Sequence, residues 1–454
     1  MARFSRRRFL GHGTVSVLAA TQLTTLARVA SAAPPDDYRA LVCILLAGGA
    51  DSFNMLVPYD QARYDAYAGM RSDLALDRAE ILPLTYNGPD GRQFAVHPGL
   101  AEVQDLFALG DLAFVANVGP LAEPTDRAGY DAGTLRLPLG LFSHADQIAQ
   151  WQTSVPDRRI ATGVAGRMAD VLQPSLPSGP VSMNISLSGT NVFQTGTTVS
   201  SYSLDATEGA RQVAGYDSND EGSALFTSAV DALLAADYAD PFRRTYAASL
   251  RDAIDAAGEV QIALDTAPTL GTMFSGSGLS EALAQIARLI SVGDRLNVTR
   301  QTFFITFGGW DHHDDVLPQQ AAMLPVVSRG LAEFHAALTE LGVSDRVTTF
   351  TISDFGRTLT SNGKGSDHGW GGHSLVMGAA VAGGDVFGVY PDIDPGNPLD
   401  VGRGRYIPTT SVDEFYAELA LWFGVAAADL GLVLPNIGRF YAPGSGTAPL
   451  GFLL

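Results

Sequence analysis

Cysteine and lysine are almost absent from this sequence. Cys43 is the single cysteine among 454 residues, so the chain cannot form an internal disulfide. Its position in an apolar run predicts a small buried side chain. Lys364 is the single lysine, and 48 acidic residues stand against 29 basic ones, giving a formal net charge of −19. This acidic balance argues against nucleic acid as a partner.

Long apolar runs and the commonest catalytic signatures are missing as well. No segment approaches the roughly 20 apolar residues that a membrane-spanning helix requires, so no stable membrane span is expected. The chain has no Gly-x-Ser-x-Gly motif and no Gly-rich phosphate loop followed by a lysine. The sequence therefore does not indicate a serine esterase or a nucleotide-dependent enzyme.

The amino-terminal segment has the features of an export signal. Paired arginines precede an apolar stretch in Ser5-Arg6-Arg7-Arg8-Phe9-Leu10, and Ala30-Ser31-Ala32 supplies the small residues of a cleavage site. This predicts a twin-arginine signal peptide at 1–32 and a periplasmic or otherwise exported protein formed by 33–454. Because the twin-arginine route moves folded proteins, it suits a protein that binds its metal before export.

Apolar patterning predicts an α/β fold. A helical repeat of apolar residues over 327–341 lies between two apolar runs that read as strands, and this order implies a parallel pair. We therefore expect a mostly parallel central sheet with helices on both faces. The segment from about 173 to 268 mixes proline and glycine with helical stretches, and we expect an insertion or cap there. The predicted strands cover residues 40–47, 112–118, 302–307 and 347–352.

Three of these strands are followed by an aspartate. Asp51 follows the first predicted strand, Asp311 the third and Asp354 the fourth. The carboxyl ends of parallel strands meet at one edge of a sheet, where α/β folds place their ligands. Carboxylates gathered there would repel one another, and a bound cation would relieve that repulsion. For any single aspartate, a helix cap or a loop hydrogen bond is an equally good explanation.

Histidines concentrate in the same part of the chain, in Asp311-His312-His313 and in Asp367-His368-Gly369-Trp370-Gly371-Gly372-His373. Aspartate and histidine suit Zn²⁺, Mn²⁺ or Fe, and a site richer in carboxylate admits Ca²⁺ or Mg²⁺. The combined set predicts a divalent metal site. His312 would be an additional ligand or would lie behind the ligands. The expected ligands are Asp51, Asp311, His313, Asp354, His368 and His373.

Five segments, in chain order, resemble an exported family catalogued as domain of unknown function 1501. That family is similar to the alkaline phosphatase and sulfatase superfamily, whose members hold one or two divalent metals at strand ends with Asp and His. The resemblance implies an alkaline-phosphatase-like fold, a small anionic substrate and an exported protein partner. Two positions depart from the family pattern: His312, where threonine is more common, and Asp354, where glutamate is. The segments are Gly48-Gly49-Ala50-Asp51, Ser143-His144-Ala145-Asp146-Gln147, Phe307–His313, Ser353–Thr358 and Asp367-His368-Gly369.

Three residues are candidates for catalysis. Ser52 and Ser143 are candidate nucleophiles, although the N-cap of a helix that begins at His144 is the favoured explanation for Ser143. Arg357 would either bind an anionic substrate or form a structural salt bridge. Two functions remain open at this point. One is a metal-dependent hydrolase of phosphate or sulfate esters, and the other is a non-catalytic exported binding or assembly protein that keeps the fold.

Overall fold

The computed structural model describes residues 38–454 except 178, 180, 208, 211, 212 and 218–221. The predicted signal peptide at 1–32 lies outside the described residues, so its assignment stays a prediction. Within the described part of the chain, the helices are too short or too polar to cross a membrane.

The described residues form twelve strands and eleven α-helices. The strands are β1 (Arg39–Ala47), β2 (Leu56–Pro58), β3 (Leu82–Pro83), β4 (Phe94–Val96), β5 (Leu112–Gly119), β6 (Asn184–Ser186), β7 (Tyr202–Ser203), β8 (Arg300–Gly308), β9 (Val347–Ser353), β10 (Gly372–Met377), β11 (Val386–Gly388) and β12 (Thr410–Ser411). The helices are α1 (Gln61–Arg71), α2 (Ala101–Leu109), α3 (Arg127–Ala132), α4 (His144–Thr153), α5 (Val164–Leu172), α6 (Ser223–Leu234), α7 (Pro241–Leu264), α8 (Gly278–Ser291), α9 (Val316–Glu340), α10 (Val412–Phe423) and α11 (Leu430–Val433).

A nine-stranded sheet forms the centre of the fold. Its strand order is β11-β5-β10-β9-β1-β8-β6-β7, and β12 pairs with β5. Of the strands described in this sheet, β10 alone runs antiparallel to its neighbours. The expected mostly parallel sheet is therefore confirmed. Strands β9, β1 and β8 are adjacent and parallel, so their carboxyl ends lie along one edge.

Helices cover both faces of this sheet, as expected. Side chains of β1 alternate between two cores: Val42 and Ile44 belong to one, and Leu41 and Cys43 to the other. Helices α8 and α9 contribute to the first core, and α5 and α10 to the second. The apolar runs seen in the sequence are thus strands buried on both sides, and Cys43 is fully buried.

One predicted helix is confirmed in detail, and the start of another is explained by its cap. The apolar repeat over 327–341 belongs to α9, which starts earlier than the repeat and includes Pro325. Ser411 and Glu414 form a capping box at the start of α10: each side chain accepts a hydrogen bond from the other residue's backbone N–H.

The segment 173–268 divides into two parts. Strands β6 and β7 extend the central sheet, because β6 pairs with β8 and β7 pairs with β6. These strands belong to the main domain, so the expected insertion does not cover the whole segment. Helices α6 and α7 follow as a hairpin, and for residues 223–264 the cap assignment stays a prediction.

Asp413, in the first turn of α10, gives the fold a pH dependence that can be measured. Burial raises the pKa of this carboxyl to about 8, although Ser154 and the charges of Arg167 and Arg439 act in the opposite direction. Unfolded, the same group titrates near 4. The folded state therefore binds more protons between these values, and the free energy of unfolding falls as the pH rises from about 4 to 8.

We predict that Asp413→Asn removes this loss, because the amide stays neutral. The free energy of unfolding at pH 8 is expected to exceed that of the parent by on the order of 1–3 kcal/mol, with little difference near pH 4. Urea denaturation at both pH values measures the effect. Asp345→Asn, at a position with a side chain 68% exposed, is the control, and the same pH slope in all three proteins would contradict the prediction.

Candidate metal centre

The three neighbouring strands β9, β1 and β8 end in tight turns that bring their loops together. Gly48 and Gly49 follow β1 with φ of 123° and 77°, a region that favours glycine. A Cβ atom at Gly48 would lie 2.5 Å from the backbone nitrogen of Asp311, so only glycine allows these two loops to pack this closely. The Gly48 N–H also donates to Oδ1 of Asp354, at 2.9 Å. The predicted meeting of the strand ends is confirmed.

Four side chains converge beyond these strand ends, and we call them the His–Asp cluster: His144, Asp311, His313 and His368. Three of the four, His144, Asp311 and His368, offer ligand atoms that all lie within 4.8 Å of one another. The Asp311 carboxylate is central. Its oxygens lie 3.5 Å from Nε2 of His144, 3.1 Å from Nε2 of His313 and 3.6 Å from Nε2 of His368.

The outer nitrogen of each imidazole contacts an oxygen that can only accept a hydrogen bond. Nδ1 of His144 lies 2.6 Å from Oδ2 of Asp354, and Nδ1 of His313 lies 3.1 Å from Oδ1 of Asp367. Nδ1 of His368 lies 2.7 Å from the carbonyl oxygen of Phe142. Each Nδ1 must therefore carry the proton, and a neutral ring then directs the lone pair of Nε2 into the cluster.

A proton or a cation is needed between these lone pairs. Nε2 of His313 lies 2.8 Å from Nε2 of His368, and the Asp311 carboxylate faces both. Burial lowers the pKa of His368, against the opposing effect of its bond to Phe142, and this favours the neutral ring. Nitrogen and oxygen lone pairs that face one another repel unless a positive charge lies among them. The donor set therefore fits a bound metal ion, with Asp354, Asp367 and the Phe142 carbonyl orienting the histidines from behind.

Arg357 holds Asp311 in position. Its side chain is fully buried, and its guanidinium donates to the carbonyl oxygens of Gly48, Gly49 and Ser366, each at 2.6 Å, and to Oδ1 of Asp311. Partial burial raises the pKa of Asp311, but the hydrogen bond and charge of Arg357 bring it below the ordinary value. Arg357 thus forms the structural salt bridge that the sequence left open, and its contact with a substrate stays a prediction.

Asp51 and Ser52 lie at the same sheet edge but face other partners. Asp51 is fully buried, and its Oδ2 accepts from Nη2 of Arg71 at 2.8 Å and from the hydroxyl of Ser366 at 2.7 Å. Ser52 is 3% exposed, and its hydroxyl oxygen accepts from the backbone N–H of His373. Neither side chain reaches the His–Asp cluster through a described contact, and the catalytic role of Ser52 stays a prediction.

His373 and Asp354, two further predicted ligands, are not among the four side chains of the His–Asp cluster. The His373 ring stacks on Tyr390 and packs edge-on against Phe53, and its Nδ1 accepts from the backbone N–H of Asn117. Burial lowers the pKa of His373 to about 3. Asp354 is fully buried and contacts the cluster through His144. In this structure Asp354 supports a histidine, while His373 belongs to an aromatic stack.

His312 and Ser143 flank members of the cluster. His312 is 4% exposed, its ring packs near Trp310, and burial lowers its pKa; whether it is an additional ligand or supports the ligands stays a prediction. Ser143 is the residue before α4 and is partly exposed. It precedes His144 directly, which places it beside the cluster.

Reasoning from the sequence did not include His144 among the candidate ligands. It begins α4, some 170 residues before Asp311 in the chain, whereas the predicted ligands were sought at strand ends. Its presence in one of the five segments on which the family resemblance was based was the available signal. Reasoning from the sequence also overlooked a motif. The segment Ser154-Val155-Pro156-Asp157-Arg158 matches the Ser-x-Pro-x-Arg spacing associated with sulfatases. Ser154 follows the carboxyl end of α4 and is fully buried, so the structure does not present it at the cluster.

Comparison with known proteins gives a family match over part of the chain. The family described as "Protein of unknown function (DUF1501)" matches residues 225–428. The chain resembles this family. The match spans β8 and β9 with Asp311, His313 and His368, but it does not reach β1 or His144. No curated protein matches the chain.

Several solved structures match the chain at low sequence identity and low TM-score. Ps i-CgsB, in complex with k-i-k-neocarrahexaose, is 12% identical with a TM-score of 0.34, covering 87% of this chain and 74% of its own. The PsFucS1 sulfatase from Pseudoalteromonas sp. is 9% identical with a TM-score of 0.34, covering 90% and 71%. A mutant of the alkaline phosphatase PafA is 12% identical with a TM-score of 0.25, covering 71% and 64%. Scores of this size do not carry an activity over to the present chain.

The contacts of Arg357 lead to a prediction on stability. Lysine keeps the charge but lacks the planar fork that reaches three backbone carbonyls and Asp311 at once. We expect Arg357→Lys to lower the free energy of unfolding by about 2–4 kcal/mol, because buried carbonyl groups lose their donors. Urea denaturation measures the loss. Arg346→Lys, at a position with a half-exposed side chain, is the control, and equal stability of the two variants would contradict the role given to Arg357.

Proposed function

We propose that this chain is an exported metal-dependent hydrolase that holds a divalent cation at the His–Asp cluster and acts on small phosphate or sulfate esters. The proposal rests on one observation. Three imidazoles, each with Nδ1 facing an acceptor oxygen, direct Nε2 toward a single carboxylate. The expected export rests on the pattern from Ser5 to Leu10, and an exported protein partner stays a prediction.

The donor types narrow the choice of metal. Ca²⁺ and Mg²⁺ prefer sites built entirely from oxygen, whereas imidazole nitrogen with carboxylate suits Zn²⁺, Mn²⁺ or Fe²⁺. His144, His368 and Asp311 offer ligand atoms that lie within 4.8 Å of one another, and His313 lies within contact of the last two. We therefore favour Zn²⁺, Mn²⁺ or Fe²⁺ over the Ca²⁺ that the sequence left open.

The cluster is open to solvent and its charge suits an anionic ligand. The side chains of Asp311 and His313 are 48% and 40% exposed. Three carboxylates and three guanidinium groups lie in or next to the cluster, so their formal charges cancel, and a divalent cation would leave a balance of +2. Such a balance attracts a phosphate or sulfate group. The groups counted are Asp311, Asp354, Asp367, Arg357, Arg403 and Arg405.

Residues beside the cluster could supply a nucleophile and a positive charge for ester hydrolysis. A divalent cation supplies Lewis-acid activation of an ester when it is bound. Ser143 is the better placed of the two candidate nucleophiles, because it is partly exposed and adjoins His144, whereas Ser52 is buried with its hydroxyl oxygen already bonded. Arg405 donates from Nε to the His368 carbonyl and lies over the Phe142 ring at 5.0 Å, which places a cation at the rim of the cluster.

We predict that the mature protein, purified without chelator, contains close to one equivalent of Zn, Mn or Fe by elemental mass spectrometry. His368→Ala is expected to lose the metal, because it removes a ligand nitrogen. Asp354→Asn is expected to weaken metal binding by about 10–100-fold, because the carboxylate that orients His144 is lost.

Two controls separate loss of metal from loss of fold. His335→Ala removes a histidine on α9 that contacts Asp111, and Asp345→Asn removes an exposed acid; both are expected to keep the metal. Circular dichroism checks the fold of each variant. A folded parent protein without metal would overturn the metal site and with it the proposed hydrolase.

Turnover of 4-nitrophenyl phosphate and 4-nitrophenyl sulfate tests the reaction. We expect the metal-loaded parent to hydrolyse at least one ester and His368→Ala to lose at least 90% of that rate, since removal of one essential group commonly costs on the order of 10²-fold or more. A protein that retains its metal but hydrolyses neither ester would favour the alternative, a non-catalytic binding or assembly protein.

A further inference from the structure

Gln147 is a fully buried residue in the first turn of α4, three positions after His144. Its Oε1 accepts a hydrogen bond from the backbone N–H of Phe142, at 2.6 Å. None of the described residues accepts a hydrogen bond from its Nε2. Because a buried donor without an acceptor lowers stability, packing alone does not explain an amide at this position. The contact of Oε1 with Phe142 does explain it.

Phe142 has a backbone conformation that aromatic residues rarely adopt. Its φ of 71° lies in the left-handed region, where the Cβ atom approaches the following carbonyl oxygen. Such a conformation costs free energy and persists only when surrounding contacts hold it. Two contacts contribute here. Gln147 accepts from the backbone N–H of Phe142, and the guanidinium of Arg405 lies 5.0 Å from the centre of the Phe142 ring.

The left-handed conformation directs the carbonyl group of Phe142 toward His368. The carbonyl oxygen lies 2.7 Å from Nδ1 of His368. The direction of a backbone carbonyl follows from the dihedral angles of its residue, so this contact depends on the conformation of Phe142. With the proton held at Nδ1, the ring presents Nε2 to Asp311, 3.6 Å away. One residue, Phe142, therefore connects Gln147 to a ligand of the candidate metal centre.

The same turn presents a second member of the His–Asp cluster. The N–H of Ser143 donates to the carbonyl of Gly140 at 2.9 Å, and His144 begins α4 directly after it. The rings of His144 and His368 lie edge to face, with their centres 4.4 Å apart. The turn at 140–144 thus carries one histidine and orients the other through a carbonyl. The conformation of Phe142 sets the position of both groups relative to each other.

We propose that Gln147 is a positioning residue of the metal centre: it holds Phe142 in the left-handed conformation whose carbonyl fixes the tautomer and the direction of the His368 ring. Gln147 itself contacts neither the metal nor a substrate. The assignment rests on the proposed function, because its consequence is metal affinity, but the contacts that carry it lie entirely within the chain. Loss of the Oε1 acceptor is therefore expected to disturb His368 with or without a metal.

Gln147→Leu removes the acceptor and keeps an apolar stem at this position. We expect the dissociation constant for Zn²⁺, measured by competition with a chromophoric chelator, to rise about tenfold, as for other groups that orient a ligand from behind. Gln150→Leu is the matched control: Gln150 is also buried in α4 and bonds the same loop, but it donates to the carbonyl of Leu139. It is expected to keep the Zn²⁺ affinity of the parent. Circular dichroism and urea denaturation check the fold of both variants, and an equal loss of affinity in both would overturn the proposal.

A second variant tests whether the effect passes through Phe142. Asparagine adopts the left-handed conformation more readily than phenylalanine, so Phe142→Asn makes this conformation less dependent on the bond to Gln147. We expect Gln147→Leu to weaken Zn²⁺ binding by only about two- to threefold when it is introduced into Phe142→Asn, a coupling that only residues sharing one interaction show. The same loss of affinity in both backgrounds would overturn the route through Phe142.

Nitrogen-15 NMR of the imidazoles in the metal-free protein tests the orientation of His368 directly. We expect the parent to show a protonated Nδ1 whose proton is protected from exchange with water, and Gln147→Leu to lose that protection. The signal of His368 is identified by its absence from His368→Ala. Equal protection in the parent and in Gln147→Leu would overturn the proposal. A parent that binds no metal but shows the expected difference would overturn the proposed function and still support the connection from Gln147 to His368.

Discussion

A single buried guanidinium connects the strand ends on which the candidate site is built. Arg357 follows β9 and donates to the carbonyls of Gly48 and Gly49 after β1, to the carbonyl of Ser366, and to Asp311 after β8. The planar fork of arginine can bond several acceptors at once, which the single ammonium of lysine cannot do with the same geometry. Without this group, three carbonyl oxygens and one carboxylate would meet in a confined space with no donor. The position of Asp311, and therefore the centre of the His–Asp cluster, depends on it.

The second constraint is the orientation of the three imidazoles. Each ring is held at Nδ1 by an oxygen acceptor, two of them carboxylates and one a backbone carbonyl. This arrangement is the one by which proteins fix the tautomer of a metal-binding histidine. It also accounts for Asp354 and Asp367, which would otherwise be two more negative charges at a crowded edge. Carboxylates at strand ends have different tasks here: Asp311 faces the histidines, Asp354 orients one of them, and Asp51 pairs with Arg71 in the interior.

The candidate site and the α6–α7 hairpin meet different physical demands. The cluster is polar, partly exposed and held by hydrogen bonds among loops that follow parallel strands. The hairpin exposes apolar surface on one side and is anchored on the other by the core that α8 and α9 share. Because they rest on separate elements, a change in one need not disturb the other.

The sequence by itself determined the α/β class, the adjacent parallel strands, the long helix before β9, the capping box at Ser411 and the concentration of Asp and His near the carboxyl ends of the strands. These features are local: apolar periodicity, cap residues and turns depend on neighbours a few positions away. Only the tertiary structure decided which side chains meet. A strand end fixes the position of a backbone, while the loop that follows sets the direction of each side chain, so Asp51 and Asp311 point to different partners. His144 enters from a helix far away in the chain, and His373 turns into an aromatic stack. Such encounters follow from contacts between distant segments, which no local pattern records.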